Sequence, residues 1–119
     1  MQPIKDKKLT RLTTVDYIGD ARIDFVLIAT GDCMTGARIH DGDLVFIQRQ
    51  TAIENGQIAA VELDGQRLLK RFYQYGDLIV LHPENPAYRD IEIRRGDGHE
   101  LTILGRAVSF QSVLTGWSD

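Results

Sequence analysis

Turn-forming pairs punctuate this chain about every ten residues, and they constrain the fold more than any other feature. Asp41-Gly42, Asn55-Gly56, Asp64-Gly65 and Gly76-Asp77 each separate short apolar runs. Glycine, asparagine and aspartate tolerate the positive φ that tight hairpin turns demand. Between the turns, Leu44-Val45-Phe46-Ile47, Gln57 to Leu63, Arg67 to Tyr73, Leu78-Ile79-Val80-Leu81 and Ile91-Glu92-Ile93 have strand length and β-branched or aromatic content. Asp64-Gly65 and Gly76-Asp77 therefore predict two β-hairpins. Arg22 to Thr30 becomes continuously apolar, the pattern of a central, buried strand. Leu101 to Val113 predicts a long closing strand bent at Gly105. No window of 11 or more residues carries a helical face, and Met34 to Ile39 is the one place for a short helix. The expected fold is mostly β, twisted or barrel-like, with at most a short helix after Cys33.

With 119 residues the chain fits one domain able to bury a core. Residues 1–12 read as a linker remnant or peripheral strand, and 13–119 as the domain. No apolar segment approaches the roughly 20 residues of a membrane span, and no signal-peptide pattern opens the chain. We therefore expect a cytoplasmic protein without membrane contact. The net charge of −3 argues against direct DNA binding by this chain, which needs clustered Lys and Arg. The basic cluster Lys5, Lys7, Lys8 and Arg11 reads as solvated tail. Cys33 is the single cysteine, so neither an internal disulfide nor a cysteine-based zinc cluster is available. His40, His82 and His99 share no metal-ligand spacing, and no metal or cofactor is expected.

Four features stand out chemically: Gly31-Asp32-Cys33-Met34, Asp41-Gly42-Asp43, Lys70-Arg71, and His82-Pro83-Glu84-Asn85-Pro86. Taken singly, each has a plain structural meaning. A lone cysteine after an apolar strand is usually a small buried hydrophobe. Asp-Gly-Asp is usually a turn, a strand lysine usually turns to solvent, and the proline-bounded run is a rigid loop.

In this order and spacing they resemble the self-cleaving peptidase domain of LexA, UmuD and phage repressors. That family carries its nucleophilic serine in a Gly-Asp-Ser-Met motif, followed by an Asp-Gly-Asp turn and an apolar strand. A lysine base lies about 37 residues on, then a Pro-Glu-Asn loop, then a closing strand with a glycine. Here the matching elements are Gly31-Asp32-Cys33-Met34, Asp41-Gly42-Asp43-Leu44-Val45, Leu69-Lys70-Arg71, Leu81-His82-Pro83-Glu84-Asn85 and Ile103-Leu104-Gly105-Arg106-Ala107-Val108. Cys33 and Lys70 are 37 positions apart. The resemblance implies a catalytic dyad of Cys33 and Lys70, with Asp32 and Met34 shaping the site and its oxyanion-binding region.

The chemistry of such a dyad is general. A nucleophile needs its proton removed, and a lysine removes it only when neutral, which takes desolvation because lysine titrates near 10.4 in water. Leu68, Leu69 and Phe72 are suitable apolar neighbours for Lys70. Cysteine at position 33 departs from the family's serine. A thiol titrates lower and is intrinsically more nucleophilic, yet beside a lysine it can settle as a thiolate–ammonium pair that removes the base. Two readings follow. One is the regulatory peptidase domain of a LexA-like SOS or prophage repressor, cleaving its interdomain linker. The other is a slow or inactive dimerisation or sensing module of a transcriptional regulator. A free-standing peptidase related to signal peptidases is disfavoured by the lack of a membrane anchor.

Arg106 to Leu114 reads as an apolar strand near the terminus and is expected at a sheet edge. The resemblance further implies a homodimer paired through this stretch, and a RecA filament as inducing partner of the parent protein. Family repressors cut an Ala-Gly or Cys-Gly bond, and neither dipeptide occurs in this chain. Only 32 residues precede Cys33, so the expectation is a C-terminal domain without its DNA-binding partner domain.

Overall fold

The computed structural model describes residues 17–113. The expected linker at 1–12, the basic cluster and Leu114 lie outside these residues. Nine strands and one turn of 3-10 helix make up the described chain. They are β1 (Tyr17–Ile18), β2 (Ala21–Arg22), β3 (Phe25–Ile28), the 3-10 turn Thr35–Ala37, β4 (Leu44–Gln48), β5 (Ile58–Leu63), β6 (Gln66–Tyr75), β7 (Leu78–His82), β8 (Ile91–Arg94) and β9 (Leu101–Gln111). β1 and β2 form a small ribbon. The other seven pair antiparallel in the order β3-β4-β9-β5-β6-β7-β8, in a strongly curled half-barrel. The mostly β fold expected from the turn spacing is therefore the fold observed.

Local chemistry explains both hairpins. Asp64 and Gly65 have φ of 51° and 84°, the two positive values of a type I′ turn, and they join Leu63 to its partner Gln66. Gly76, at φ 61°, occupies the first position of the two-residue turn joining Tyr75 to Leu78. The first turn sets the register of β5 on β6 and so places Lys70 opposite Ala59.

Two expectations need correction. The apolar run at Arg22 to Thr30 is not a central strand: it divides into β2 and β3, and β3 ends the sheet. Val26 and Leu27 are nonetheless buried, because the curled sheet covers one and a second cluster, with Ile23 and Phe46, covers the other. The central apolar strand is β5, whose Ala60 joins the cluster around Val45 and Ile47 while Ala59 and Val61 join that around Phe72 and Leu81. Nor is β9 an edge strand along its whole length. It bridges β4 and β5, with β5 pairing from Leu101 to Arg106 and β4 pairing from Arg106 to Gln111. Beyond Arg106 it has a strand on one flank only among the described residues. The one place expected for a short helix, Met34 to Ile39, holds the 3-10 turn, which Arg38 ends in the left-handed region at φ 69°.

Close approach explains Gly105. A methyl group there would collide with the Gln48 carbonyl oxygen and the Ile47 side chain, where β4 carries a bulge between Phe46 and Ile47. The bend of β9 anticipated at this glycine coincides with a register shift against Ala60 and Val61.

Candidate active site

Ala29 to Met34 leave the end of β3 as a loop held from below by the Asp41-Gly42-Asp43 turn. The Gly42 N–H donates to the Ala29 carbonyl at 2.8 Å, and the Ala29 N–H donates to the Asp43 carbonyl at 2.9 Å. The Asp41 carboxylate accepts the Gly31 N–H at 2.8 Å. Asp43 is buried, and its carboxylate accepts the His40 N–H at 2.9 Å. Charge-assisted acceptance of backbone donors is how a short acidic turn stiffens a neighbouring loop. Met34 anchors the far end: it is buried with Leu27, Ile39 and Val45, and its carbonyl accepts the Ala37 and Ile39 N–H groups.

Between these anchors sits Cys33, half-buried and free. Lys70 reaches it from β6, with Nζ 2.9 Å from Cys33 Sγ. Lys70 is only 8% exposed, so the side chain does not turn to solvent as a strand lysine ordinarily does. The two residues face a cleft of about 240 Å³ lined on one side by Leu27 to Met34 and on the other by Gln66 to Lys70. Leu27, Val45, Leu68 and Leu69 make much of this wall apolar. Both flanks present open backbone. β3 pairs only with β4, and the β7 ladder on β6 begins at Arg71, leaving Gln66 to Lys70 with a strand on the β5 side alone among the described residues.

The loop after β7 closes a third side. Gly36 N–H donates to the Glu84 carbonyl at 2.7 Å, Asn85 Nδ2 donates to the Asp32 carbonyl at 2.8 Å, and the Tyr88 hydroxyl donates to the Asp32 carboxylate. That carboxylate holds the Tyr88 phenol above its ordinary range, first through the hydrogen bond and then through its charge. Gly36 is required by contact: an added Cβ would lie 2.5 Å from the Glu84 oxygen. Arg71, next to Lys70, binds Glu84 at 2.9 Å and so ties the loop to β6.

Of the residues singled out from sequence, Cys33 and Lys70 meet, Asp32 lies exposed at the cleft rim, and Met34 is mainly a core anchor. Asn85 was visible as part of a motif, without its partner. Tyr88 carried no signal in sequence beyond following that motif. Among the described residues, no cluster of His, Cys, Asp and Glu has metal-binding geometry.

The sequence profile described as Peptidase S24-like matches residues 3–108. This chain belongs to that family. It is similar to the LexA repressor of Frankia alni, with 39% identity over 94 residues, which cover 79% of this chain and 35% of that protein. It is 43% identical over 90 residues to LexA repressor 1 of Geobacter sulfurreducens, covering 76% and 44%. It is 44% identical over 92 residues to the LexA repressor of Streptomyces avermitilis, covering 77% and 37%. The match thus spans under half the length of these relatives. As a Peptidase S24-like domain, the chain has its cleft, its Cys33 loop and its Lys70 strand all within the matched region.

Proposed function

We propose that this chain is the regulatory peptidase domain of a LexA-like repressor and that it cleaves a peptide bond in an interdomain linker, with Cys33 as nucleophile and Lys70 as general base. The observation that carries this reading is the 2.9 Å contact between Lys70 Nζ and Cys33 Sγ at the floor of a cleft with two open strand flanks. Such a cleft suits an extended peptide, whose backbone pairs with strand edges while alternate side chains enter apolar pockets.

In the proposed reaction Lys70 takes the Cys33 proton and the sulfur attacks the scissile carbonyl carbon. The carbonyl oxygen carries the negative charge until the C–N bond breaks. Lys70 then returns the proton to the leaving amine, and water hydrolyses the thioester in a second, symmetrical step.

By resemblance, the parent protein is a cytoplasmic SOS-type or prophage regulator that dimerises through this domain and cleaves when a RecA–DNA filament stabilises the cleavage-competent state. The experiment is self-cleavage of the intact parent protein at neutral and raised pH, comparing Cys33 with Cys33→Ser and Cys33→Ala. Cleavage by the cysteine and serine forms, and none by alanine, supports the reading. No cleavage by the cysteine form under any inducing condition leaves a dimerisation or sensing module.

A further inference from the structure

Two features of Asp32 have no part in the chemistry above. Its carbonyl accepts three donors: Asn85 Nδ2 at 2.8 Å, Thr35 Oγ1 at 3.1 Å and the Thr35 N–H at 3.3 Å. Its carboxylate accepts the Tyr88 hydroxyl. The Asp32 carbonyl and the Cys33 N–H belong to one peptide unit, which is trans like every peptide bond described. In a trans unit C=O and N–H point in opposite directions. Whatever grips the carbonyl therefore aims the N–H.

We propose that Asn85 is a positioning residue that aims the Cys33 N–H as an oxyanion donor, by holding the Asp32 carbonyl 53 residues away in sequence. The Cys33 N–H is suited to that task. No backbone carbonyl among the described residues accepts it, and it lies on the residue whose sulfur would bear the acyl group. Asn85 is itself braced. Its Oδ1 accepts the Ala87 N–H at 2.9 Å, and its carbonyl accepts the Tyr88 N–H at 3.1 Å. This local turn fixes the amide so that Nδ2 faces Asp32. The loop's other bonds, from Gly36 to the Glu84 carbonyl and from Tyr88 to the Asp32 carboxylate, hold the same two segments together without touching the Asp32 carbonyl.

The inference rests on Cys33 as the acyl acceptor, and its test is independent of peptide cleavage. Iodoacetamide alkylates a thiolate by displacement at a saturated carbon, so no oxyanion forms. Acylation by p-nitrophenyl acetate passes through one: the sulfur attacks the acetyl carbon, the ester C–O bond breaks, p-nitrophenolate leaves and a thioester remains. With the isolated chain, Asn85→Ala and Asn85→Asp should slow acylation by at least about tenfold while changing alkylation by less than about threefold. Asn85→Asp keeps the acceptor for Ala87 and guards against an unfolded alanine variant. Tyr88→Phe, which removes a bond of the same loop but leaves the Asp32 carbonyl gripped, should change both rates by less than about threefold.

An equal fall in both rates for the Asn85 variants would mean that Asn85 only keeps the loop in place, and would overturn the proposal. So would unchanged acylation in those variants, or an acylation defect in Tyr88→Phe matching theirs. Failure of the parent protein to cleave itself would count against the proposed function and leave this comparison intact.

Discussion

Lys70 meets Cys33 at 2.9 Å across 37 residues of sequence, and it does so from a strand position that is 8% exposed. The register of one hairpin controls this meeting. Asp64-Gly65 closes a two-residue turn, and at the fifth pair from it Ala59 stands opposite Lys70. A slip of one residue would carry Lys70 to the other face of the sheet and away from the cleft.

Thiol reactivity tests the pair directly. Cys33 should react with iodoacetamide at pH 7 faster than a free cysteine, because Lys70 Nζ stands 2.9 Å from its sulfur, within reach of the thiol proton. Lys70→Ala should slow the reaction by about tenfold. An unchanged rate in that variant would dissolve the pairing.

Gly36 should not accept a side chain. In Gly36→Ala the new methyl group meets the Glu84 oxygen at 2.5 Å, and backbone rather than a flexible side chain must yield. Over-packing of this kind costs about 1–3 kcal/mol. Chemical denaturation should show that loss, with slower Cys33 alkylation because the Cys33 loop is displaced. Wild-type stability would mean that the loop after β7 does not bear on the 3-10 turn.

The Asp64–His99 clasp predicts a pH dependence. Asp64 accepts the Glu100 N–H and lies 2.6 Å from His99 Nδ1. The bond to Asp64 raises His99 above its ordinary 6.5, while the Glu100 N–H, and then His99, lower Asp64 below 3.8. A raised histidine contributes stability that is complete below its unfolded value and lost as pH rises through its folded value. A lowered aspartate contributes stability present above its unfolded value and lost as pH falls through its folded value. The clasp is therefore fullest from about pH 4 to 6.5. Both side chains are exposed, so the effect is local. A ¹H NMR titration should place the His99 midpoint above 6.5, and Asp64→Asn should return it there. A midpoint that ignores Asp64→Asn would refute the clasp.

Association is expected through the second half of β9. Beyond Arg106 that strand has one unpaired flank among the described residues, and Phe110 and Val113 are 37% and 44% exposed. Open backbone beside apolar surface favours strand addition by a second copy. Sedimentation at tens of micromolar should show a dimer, and Phe110→Glu should give monomer. A wild-type monomer at that concentration would remove this surface as the interface.

Much of the architecture was legible because it is local. Asp64-Gly65 and Gly76-Asp77 permit the backbone angles of tight turns, and those turns fix hairpins whatever surrounds them. The site motifs were legible through their order, and Cys33 and Lys70 do come together. Strand order was not legible. The continuous apolar run at Val26 and Leu27 has the composition of a central strand, but a sheet that curls can bury its last strand on both faces, and composition records burial rather than neighbours. Proximity to the terminus suggested an edge for Arg106 to Leu114, whereas the fold inserts β9 between β4 and β5 and leaves one flank open beyond Arg106 among the described residues.

By itself, the sequence determined the turns, the alternation of strand and loop, and the residue types available for chemistry. Only the tertiary structure decided that Asn85 would hold the Asp32 carbonyl and Tyr88 its carboxylate, that Gly36 must be bare to admit Glu84, and that Lys70 would be enclosed. Each of these depends on long-range closure of a curled sheet. Local backbone preference sets the angles of a turn, but which distant groups then meet is fixed by how the strands pack and by the burial that packing brings.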